Sequence, residues 1–338
     1  MLIRSKEKKI KESKMGIKYL NQFLKENAKN GIQFISIAEL SGKKIAVDIS
    51  IYMHKYAAED ALIENMYLML SIFRYYNIIP VFIFDGKSPI EKKELLQKRW
   101  QDKKQAEKEY NELQIILKNE SNIDDAERQE IIYNMDMLKK NFIHIGKNDI
   151  ENVKSLIRAY GATYYDAPSE ADELCALLTI KEKVWACLSE DMDMFVYGCP
   201  RVLRYLSLLQ HTAVLYDVAN ILQMLGVTQK ELREICVLSG TDYNKSNNDL
   251  HKTLKYFKKY HREKSNLEFY PWLLQKTDYI QDYDLLLKIT SMFDILNTNE
   301  NVNNKCIYFE NISIENGPIK KIEMKEILKK EGFIFPPL

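Results

Sequence analysis

Cysteine is scarce in this sequence, and no run of apolar residues is long enough to span a bilayer. The five cysteines are scattered and form no CxxC pair, which argues against a zinc site and against a disulfide framework. Residues 1–14 lack the apolar core of a secretory signal. These absences predict an intracellular protein that has no association with a membrane.

An excess of charge of either sign is also missing, since 49 lysines and arginines nearly balance 48 aspartates and glutamates. This balance excludes a uniformly basic nucleic-acid binder. Basic residues are nevertheless concentrated locally, in residues 1–31 and in residues 245–266. With 338 residues and 46% hydrophobic content, the chain can fold into one large domain or two ordinary ones.

Short apolar runs alternate with helical patterns along most of the chain. Four of these runs predict buried strands, at residues 43–50, 79–86, 161–167 and 183–193. Two further runs, 201–209 and 213–217, could add an edge hairpin. Because strands and helices alternate, we expect an α/β fold with a mainly parallel twisted sheet and helices on both faces.

Two regions interrupt this alternation. Residues 91–147 form a charged insert, in which the patterns predict two helices joined near residues 120–124. Residues 245–338 predict a helical region that is basic at its start. We therefore expect three parts, which are a basic extension at 1–14, a core at 15–244 that carries the insert, and the C-terminal helical region.

Carboxylates follow the predicted strands at the same end. Asp48, Asp85, Asp191 and Asp193 end or follow three of the strands. In a parallel sheet these ends share one edge, where open α/β sheets build their sites. One aspartate after a strand would be interpreted as a turn former or a helix cap, but its recurrence after three strands favours a shared site.

Two more acidic segments point to the same edge. In PSEADE, Ser169 is a candidate N-cap, so Glu170, Asp172 and Glu173 fall in the first turn of a helix. The spacing does not choose between Asp172 and Glu173. A capping box at TQKE opens an apolar helix that leads to Asp242.

So many carboxylates at one edge would repel each other unless cations neutralise them. Oxygen ligands without histidine or cysteine suit Mg²⁺, with Mn²⁺ as a substitute. Two such ions about 3.5–4 Å apart can stabilise the attacking and leaving oxygens of a phosphodiester displacement. The residues alone therefore predict metal-dependent phosphoryl chemistry.

The same residues lie in motifs that resemble those of structure-specific 5′ nucleases of the flap endonuclease and XPG family. The motifs occur in the family's order and span residues 15–338: MGIKYLNQFLKE, KKIAVDISIYMHK, PVFIFDGKSPIEKKELLQKR, YYDAPSEADELCA, SEDMDMFVYG, LSGTDYN and EMKEILKKEGF. The resemblance implies a PIN-like 5′-nuclease fold, in which the insert 91–147 forms a helical arch over the site.

The resemblance also implies roles for individual residues. The ligands of two Mg²⁺ ions would be Asp48, Asp85, Glu170, Asp172, Asp191, Asp193 and Asp242. This set favours Asp172 over Glu173, and since all seven positions are acidic it argues against an inactive paralogue. Lys92 and Arg99 would be catalytic residues of the arch, which hold the scissile phosphate and counter its developing charge. They lie seven residues apart, on one face of a helix.

Other family positions fall on residues that would contact nucleic acid. Gly16 matches a glycine near the substrate. His54 matches a ring that stacks on the base beside the cut, and Tyr52 is a competing candidate for that ring. A packed core histidine is the alternative reading of His54.

The chain departs from the family after the LSGTDYN motif. NKSNNDLHKTL replaces the glycine-rich hairpin that lets backbone amides approach duplex phosphates with a bound cation. Asn247 and Asn248 can adopt positive φ, so a similar turn that binds K⁺ remains open. The basic residues that follow, among them Lys252, Lys255 and Lys258, could grip the duplex by their side chains instead. A solvated helix is the alternative.

Both ends of the chain also differ from the family pattern. Either translation starts at Met15, or the residues before it are a real extension that could bind phosphates. The final residues, GFIFPPL, hold no sliding-clamp box, so clamp binding is not expected.

These features together predict a Mg²⁺-dependent 5′ nuclease, a flap endonuclease or 5′–3′ exonuclease, that hydrolyses branched or nicked DNA in replication or repair. DNA with a 5′ flap, nick or gap would be its partner. The enzyme would act as a monomer in the nucleus or at another site of DNA replication. An RNA-cleaving nuclease of the same fold is the second hypothesis, which the altered hairpin supports. A non-catalytic nucleic-acid scaffold is the third, and the retained acidic residues argue against it.

Overall fold

The structure of the protein is a computed structural model that describes residues 17–119, 125–244, 249–296 and 312–335, without the side chains of 125–127. The chain divides into two compact units. We call the first the helical unit, and it comprises Met1–Gln33, Asp191–Pro200 and Tyr216–Lys305. We call the second the sheet unit, and it comprises Phe34–Glu190, Arg201–Leu215 and Cys306–Leu338.

A seven-stranded sheet forms the centre of the sheet unit, in the order β1-β7-β6-β5-β2-β3-β4. Its strands are β1 Ile32–Ser36, β2 Lys44–Asp48, β3 Ile79–Phe84, β4 Thr163–Asp166, β5 Ala186–Leu188, β6 Arg201–Ser207 and β7 Thr212–Asp217. The five strands from β6 to β4 pair in parallel. Residues 208–211 join β6 to β7 in a short turn, so these two neighbours form a hairpin. The predicted α/β architecture with a mainly parallel sheet is confirmed.

β2 and β3 lie inside the sheet, and most of their residues are apolar. Val47 of β2 lies opposite Phe82 of β3 and Leu188 of β5, and all three side chains are buried. Strands that are covered on both faces read as continuous apolar runs, which explains why β2 and β3 were evident in the sequence. β5 is much shorter than the predicted strand 183–193, since the chain leaves the sheet after Leu188.

Seven helices of the sheet unit lie within its described residues. They are α2 Ile49–Ala58, α3 Leu62–Tyr75, α4 Lys93–Asn119, α5 Asp125–Phe142, α6 Lys147–Ala159, α7 Ala171–Ile180 and, near the C-terminus, α14 Lys321–Lys330. α4 and α5 are the two helices predicted for the insert, and they pack against each other. The residues between them, 120–124, lie outside the described residues.

The helical unit is built around α10. Its helices are α1 Leu20–Asn27, α8 Asp193–Tyr197, α9 Val218–Leu225, α10 Gln229–Ser239, α11 Leu250–Glu263, α12 Phe269–Lys276 and α13 Tyr283–Met292. α10 packs against α8, α11, α12 and α13. It begins with the predicted capping box, because Thr228 accepts the N–H of Glu231 and the Glu231 carboxylate accepts the N–H of Thr228. Within the described ranges, no helix is both long and apolar enough to cross a membrane.

Candidate active site

Two strand-end aspartates are held by hydrogen bonds at the carboxyl edge of the sheet. Asp48 is the last residue of β2, and its Oδ2 accepts the Ser189 hydroxyl at 2.9 Å, just beyond β5. Asp85 follows β3 directly, and its Oδ2 accepts the Ser50 hydroxyl at 2.5 Å. Its other oxygen accepts the N–H of Ala171 at 2.8 Å, at the start of α7. These bonds fix the Asp85 carboxylate beside the first turn of α7 and tie the Asp48 carboxylate to the residue that follows β5.

Gly86 allows the segment after β3 to approach the loop before α7. Its N–H donates to the carbonyl oxygen of Ser169 at 2.7 Å. A Cβ atom at this position would lie 1.9 Å from the carbonyl oxygen of Ala167, which is closer than any real contact. Only glycine fits this approach, which brings Asp85 next to the acidic start of α7.

Glu170 occupies the N-cap position of α7, but its side chain makes no cap hydrogen bond. Its Oε2 lies 2.7 Å from Nζ of Lys92 in an ion pair that is largely withdrawn from solvent. The prediction that Ser169 caps this helix is wrong by one residue, because α7 begins at Ala171 and Glu170 is therefore the N-cap. Lys92 lies in a short 3₁₀ turn, residues 90–92, immediately before α4 rather than within the helix.

Asp172 and Glu173 lie in the first turn of α7 with different exposure. Asp172 is buried and Glu173 is partly exposed. Oδ1 of Asp172 accepts the N–H of Glu173 at 2.7 Å. The sheet unit therefore gathers four of the predicted ligands, Asp48, Asp85, Glu170 and Asp172, on β2, β3 and α7.

The helical unit carries the other three predicted ligands. Oδ1 of Asp191 accepts the N–H of Asp193 at 2.9 Å, and Asp193 begins α8. Asp193 is fully buried, and its charge, after burial itself, raises the pKa of the Cys236 thiol on α10. Asp242 follows Gly240, whose φ of 104° lets the chain leave α10 sharply.

The turn that contains Asp242 is fixed by its neighbours. Asn244 accepts the N–H of Thr241 at 2.7 Å, and its side-chain amide donates to the carbonyl oxygen of Val237 at 2.8 Å. These bonds tie the residues around the half-buried Asp242 to the end of α10.

The donor set suits a hard divalent cation. Four of the carboxylates are almost inaccessible to water: Asp48 is 5%, Asp172 7%, Asp191 9% and Asp193 0% exposed. Asp172 in the sheet unit, and Asp191 and Asp193 in the helical unit, each carry carboxylate oxygens of the kind that can bind a metal ion. Burying several ionised carboxylates is costly unless a cation compensates them. Oxygen-only donors are those that Mg²⁺ and Mn²⁺ prefer.

His54 and Tyr52 differ in their access to a substrate. Tyr52 is 2% exposed, and burial, followed by the charge of Glu190, raises the pKa of its hydroxyl well above the usual value. A ring in this position is part of the core. The His54 side chain is exposed on α2. Partial desolvation and then the Lys103 ammonium lower the pKa of His54, while the carboxylate of Asp85 opposes this change.

The remaining predicted residues lie on α4, on α11 or outside the described residues. Arg99 lies partly buried on α4. Lys252, Lys255 and Lys258 are exposed on α11, which buries Leu250, Thr253 and Phe257 on its other face. Gly16 and the residues proposed for the K⁺-binding turn, 245–248, lie outside the described residues.

Sequence reasoning missed the hydrogen bonds that hold Glu190, the residue before Asp191, in place. Nη2 of Arg204 donates to the Glu190 carbonyl oxygen at 2.8 Å, and the N–H of Tyr205 donates to Oε1 of Glu190 at 2.6 Å. Tyr205 has a φ of 55°, a strained value for an aromatic residue inside a strand. Burial raises the pKa of Glu190, although Arg204 and the Tyr205 N–H oppose this change. The sequence offers no signal for these contacts because they join β6 to a loop.

Ser50 and Ser189 were also missed as partners of the strand-end aspartates. Each hydroxyl donates to a carboxylate that is distant in sequence, namely Asp85 for Ser50 and Asp48 for Ser189. The DIS and LSED segments contain these serines, but a serine after a strand is common and indicates only a turn.

Comparisons with known proteins agree with the fold and with the motifs. The family descriptions "XPG N-terminal domain" and "XPG I-region" match residues 15–106 and 161–242. The chain is 31% identical to flap endonuclease 1 of Zea mays over 248 residues, which are 68% of this chain and 62% of the relative. It is also 31% identical to flap endonuclease 1 of Encephalitozoon cuniculi over 247 residues, 68% of each chain.

A solved structure extends the likeness to nearly the whole chain. The catalytic core of Rad2 in complex with DNA substrate superposes with a TM-score of 0.61 at 20% identity, and covers 91% of this chain and 93% of Rad2's. This likeness confirms the predicted PIN-like nuclease fold. The chain spans 62% of the length of the first flap endonuclease relatives that it matches. The two family matches and the Encephalitozoon relative together show that the chain belongs to the flap endonuclease and XPG family.

Proposed function

We propose that this protein is a divalent-metal-dependent, structure-specific 5′ nuclease that hydrolyses branched or nicked DNA. The observation that carries this proposal is a group of four carboxylates at the carboxyl edge of the sheet, one of which is paired with the buried cation of Lys92. The four belong to Asp48, Asp85, Glu170 and Asp172. Asp191 is joined by one peptide bond to Glu190 of the sheet unit, so the Cα atoms of the two residues are about 3.8 Å apart. We infer that Asp191, Asp193 and Asp242 complete the ligand set.

The relatives support DNA as the substrate class. The curated relatives are named flap endonuclease 1, and the Rad2 core is in complex with a DNA substrate. We propose DNA with a 5′ flap, nick or gap as the partner of this chain. The nucleus, or another site of DNA replication, is the corresponding proposed location.

The residues present fit Mg²⁺ or Mn²⁺, because they are buried carboxylates. Two such ions would supply Lewis-acid stabilisation of the attacking and leaving oxygens. The Lys92 ammonium and the Arg99 guanidinium would hold the scissile phosphate and counter the charge that develops on it. A water oxygen would bond to phosphorus as the P–O3′ bond breaks, and a proton of that water would pass to O3′, which leaves a 5′-phosphate and a 3′-hydroxyl. The exposed ring of His54, near Asp85, would stack on the base beside the cut.

Cleavage should depend strictly on a divalent cation. We expect Mg²⁺ to support cleavage of a labelled 5′-flap DNA, and EDTA to reduce cleavage to background, because the carboxylates alone cannot stabilise the leaving oxygen. The measurement is a gel assay on flap, nicked, gapped and single-stranded DNA, with matched RNA strands alongside. Cleavage that persists in EDTA would refute the metal mechanism. Cleavage of RNA but not of the DNA series would move the substrate class to RNA.

The basic face of α11 should govern duplex affinity and leave the chemistry unchanged. We expect charge reversal of Lys252, Lys255 and Lys258 to glutamate to weaken binding to duplex-containing DNA and to flatten its salt dependence, because each lost phosphate contact removes about one released counterion. Anisotropy titrations across salt concentrations measure both effects. Reversal of three exposed lysines on α14, Lys321, Lys329 and Lys330, is the control. Equal losses in both variants would show that only net charge matters.

A further inference from the structure

An exposed aromatic residue, Trp100, directly follows Arg99 in the sequence of α4. Trp100 is 61% exposed, and Leu96, one turn earlier on the same face, is 40% exposed. Nζ of Lys104, one turn later, lies 5.0 Å from the centre of the Trp100 ring. We call Leu96, Trp100 and Lys104 the Trp100 stripe.

The other two tryptophans make contacts that stabilise the fold, whereas Trp100 is mostly exposed. Trp272 is 1% exposed, and its indole N–H donates to Glu263 at 2.9 Å. Trp185 is partly buried beneath the cations of Lys43 and Arg201. A single exposed apolar residue is ordinary on a protein surface. The exposure of Trp100 becomes informative only through its position and its charged surroundings.

The first half of α4 is basic and is anchored beside the carboxylates. Within residues 93–104 the basic residues are Lys93, Lys98, Arg99, Lys103 and Lys104, and the acidic ones are Glu94 and Asp102. The ion pair of Lys92 with Glu170 fixes the residue before α4 to the start of α7. A polyanion that reaches this carboxylate edge would therefore pass along a positively charged helix that presents an indole face.

We propose that Trp100 is a stacking platform for an unpaired base of the nucleic-acid strand that Arg99 contacts. This inference rests on the proposed nuclease function and identifies a feature of its substrate, a single-stranded segment next to the cut. Aromatic rings beside lysines and arginines are how proteins hold single strands, because every base has a stackable face and every linkage carries a phosphate. A base inside a duplex has both faces covered by its neighbours. Trp100 therefore selects the unpaired strand.

The test compares wild type, Trp100→Ala and Trp100→Phe in the full chain. Binding is measured by anisotropy in EDTA, so that no cleavage occurs, on a 5′-flap DNA and on versions with one abasic site at successive flap positions. We expect Trp100→Ala to bind the intact flap at least about fivefold more weakly, the low end for one stacked base, and Trp100→Phe to retain part of the affinity. At one abasic position the difference between wild type and Trp100→Ala should vanish.

A matched control separates stacking from the loss of any exposed ring. Tyr75 is 79% exposed at the end of α3, four residues before β3, and so lies at the opposite edge of the sheet. Tyr75→Ala should bind the flap like wild type. Flap binding should also quench the fluorescence of the wild type more than that of Trp100→Phe.

Two results would overturn the inference. Equal flap binding by Trp100→Ala and wild type would do so, and would leave the Trp100 stripe as a surface for a protein partner. A defect that is the same at every abasic position would also do so, since it would mean a contact with the backbone. Neither result affects the proposed function, which fails if wild type does not cleave the branched or nicked DNA substrates, or if it cleaves them in EDTA.

Discussion

Replacing Asp191 with asparagine is expected to lower the rate of DNA cleavage by at least about 10³-fold while the fold remains intact, because a metal ligand is worth several kcal/mol of transition-state stabilisation. The asparagine oxygen can still accept the N–H of Asp193 at the start of α8, as Oδ1 of Asp191 does at 2.9 Å. What is lost is the negative charge. Asp191→Ala loses both the charge and the hydrogen bond, so it should be equally inactive and also less stable.

This pair of variants distinguishes a ligand from a helix cap. Asp217 offers a matched control in the same unit, since its Oδ1 accepts the N–H of Asn220 at 3.1 Å and caps α9. Asp217→Asn should keep wild-type cleavage. The measurements are single-turnover cleavage rates on a 5′-flap DNA in Mg²⁺, with thermal unfolding of each variant. If Asp191→Asn cleaves as fast as wild type, Asp191 is only a cap.

The acidic residues were predictable because they repeat one pattern. Asp48 and Asp85 end apolar runs whose lengths match strands, and parallel strands bring such ends to one edge. The exact ends of the elements were less predictable. The run before Asp191 yields only the three-residue β5, because Ser189 and Glu190 turn away to bond Asp48, Arg204 and Tyr205.

The short edge strand β1 and the Lys92 ion pair could not have been found from local patterns. IQFIS does not alternate strictly, because the apolar Phe34 and Ile35 are adjacent, and it is only five residues long and runs directly into a 3₁₀ turn. Lys92 and Glu170 are separated by the whole insert, so their contact depends on tertiary structure. The sequence indicated that Lys92 could hold a phosphate, but it did not indicate that this lysine neutralises a predicted metal ligand.

That contact gives Lys92→Met two expected effects, a loss of cleavage rate and tighter apparent Mg²⁺ binding. The saturated cleavage rate should fall by about 10²–10³-fold, as it does when one donor to a developing oxyanion is removed. The Mg²⁺ concentration that gives half of this rate should also fall. In the wild type the Lys92 ammonium lies 2.7 Å from Oε2 of Glu170, where it competes with and repels a divalent cation. Methionine keeps the length of the side chain and removes this competitor.

Thermal stability should also depend on whether Lys92 or Mg²⁺ compensates the charge of Glu170. Without metal, Lys92→Met removes the ammonium that compensates the Glu170 charge, whose side chain is 15% exposed, and breaking a buried pair in this way costs about 3–5 kcal/mol. Mg²⁺ should therefore raise the melting temperature of the variant more than that of the wild type.

Lys154→Met is the control, since Lys154 lies 2.7 Å from the exposed Asp166 in the same unit and should change neither the rate nor the Mg²⁺ requirement. A Lys92→Met enzyme that needs more Mg²⁺ and keeps its saturated rate would show that Lys92 only supports the loop before α7. A lower rate with a lower Mg²⁺ requirement would instead mean that this ammonium holds Glu170 until a metal takes its place, and is then available to the phosphate.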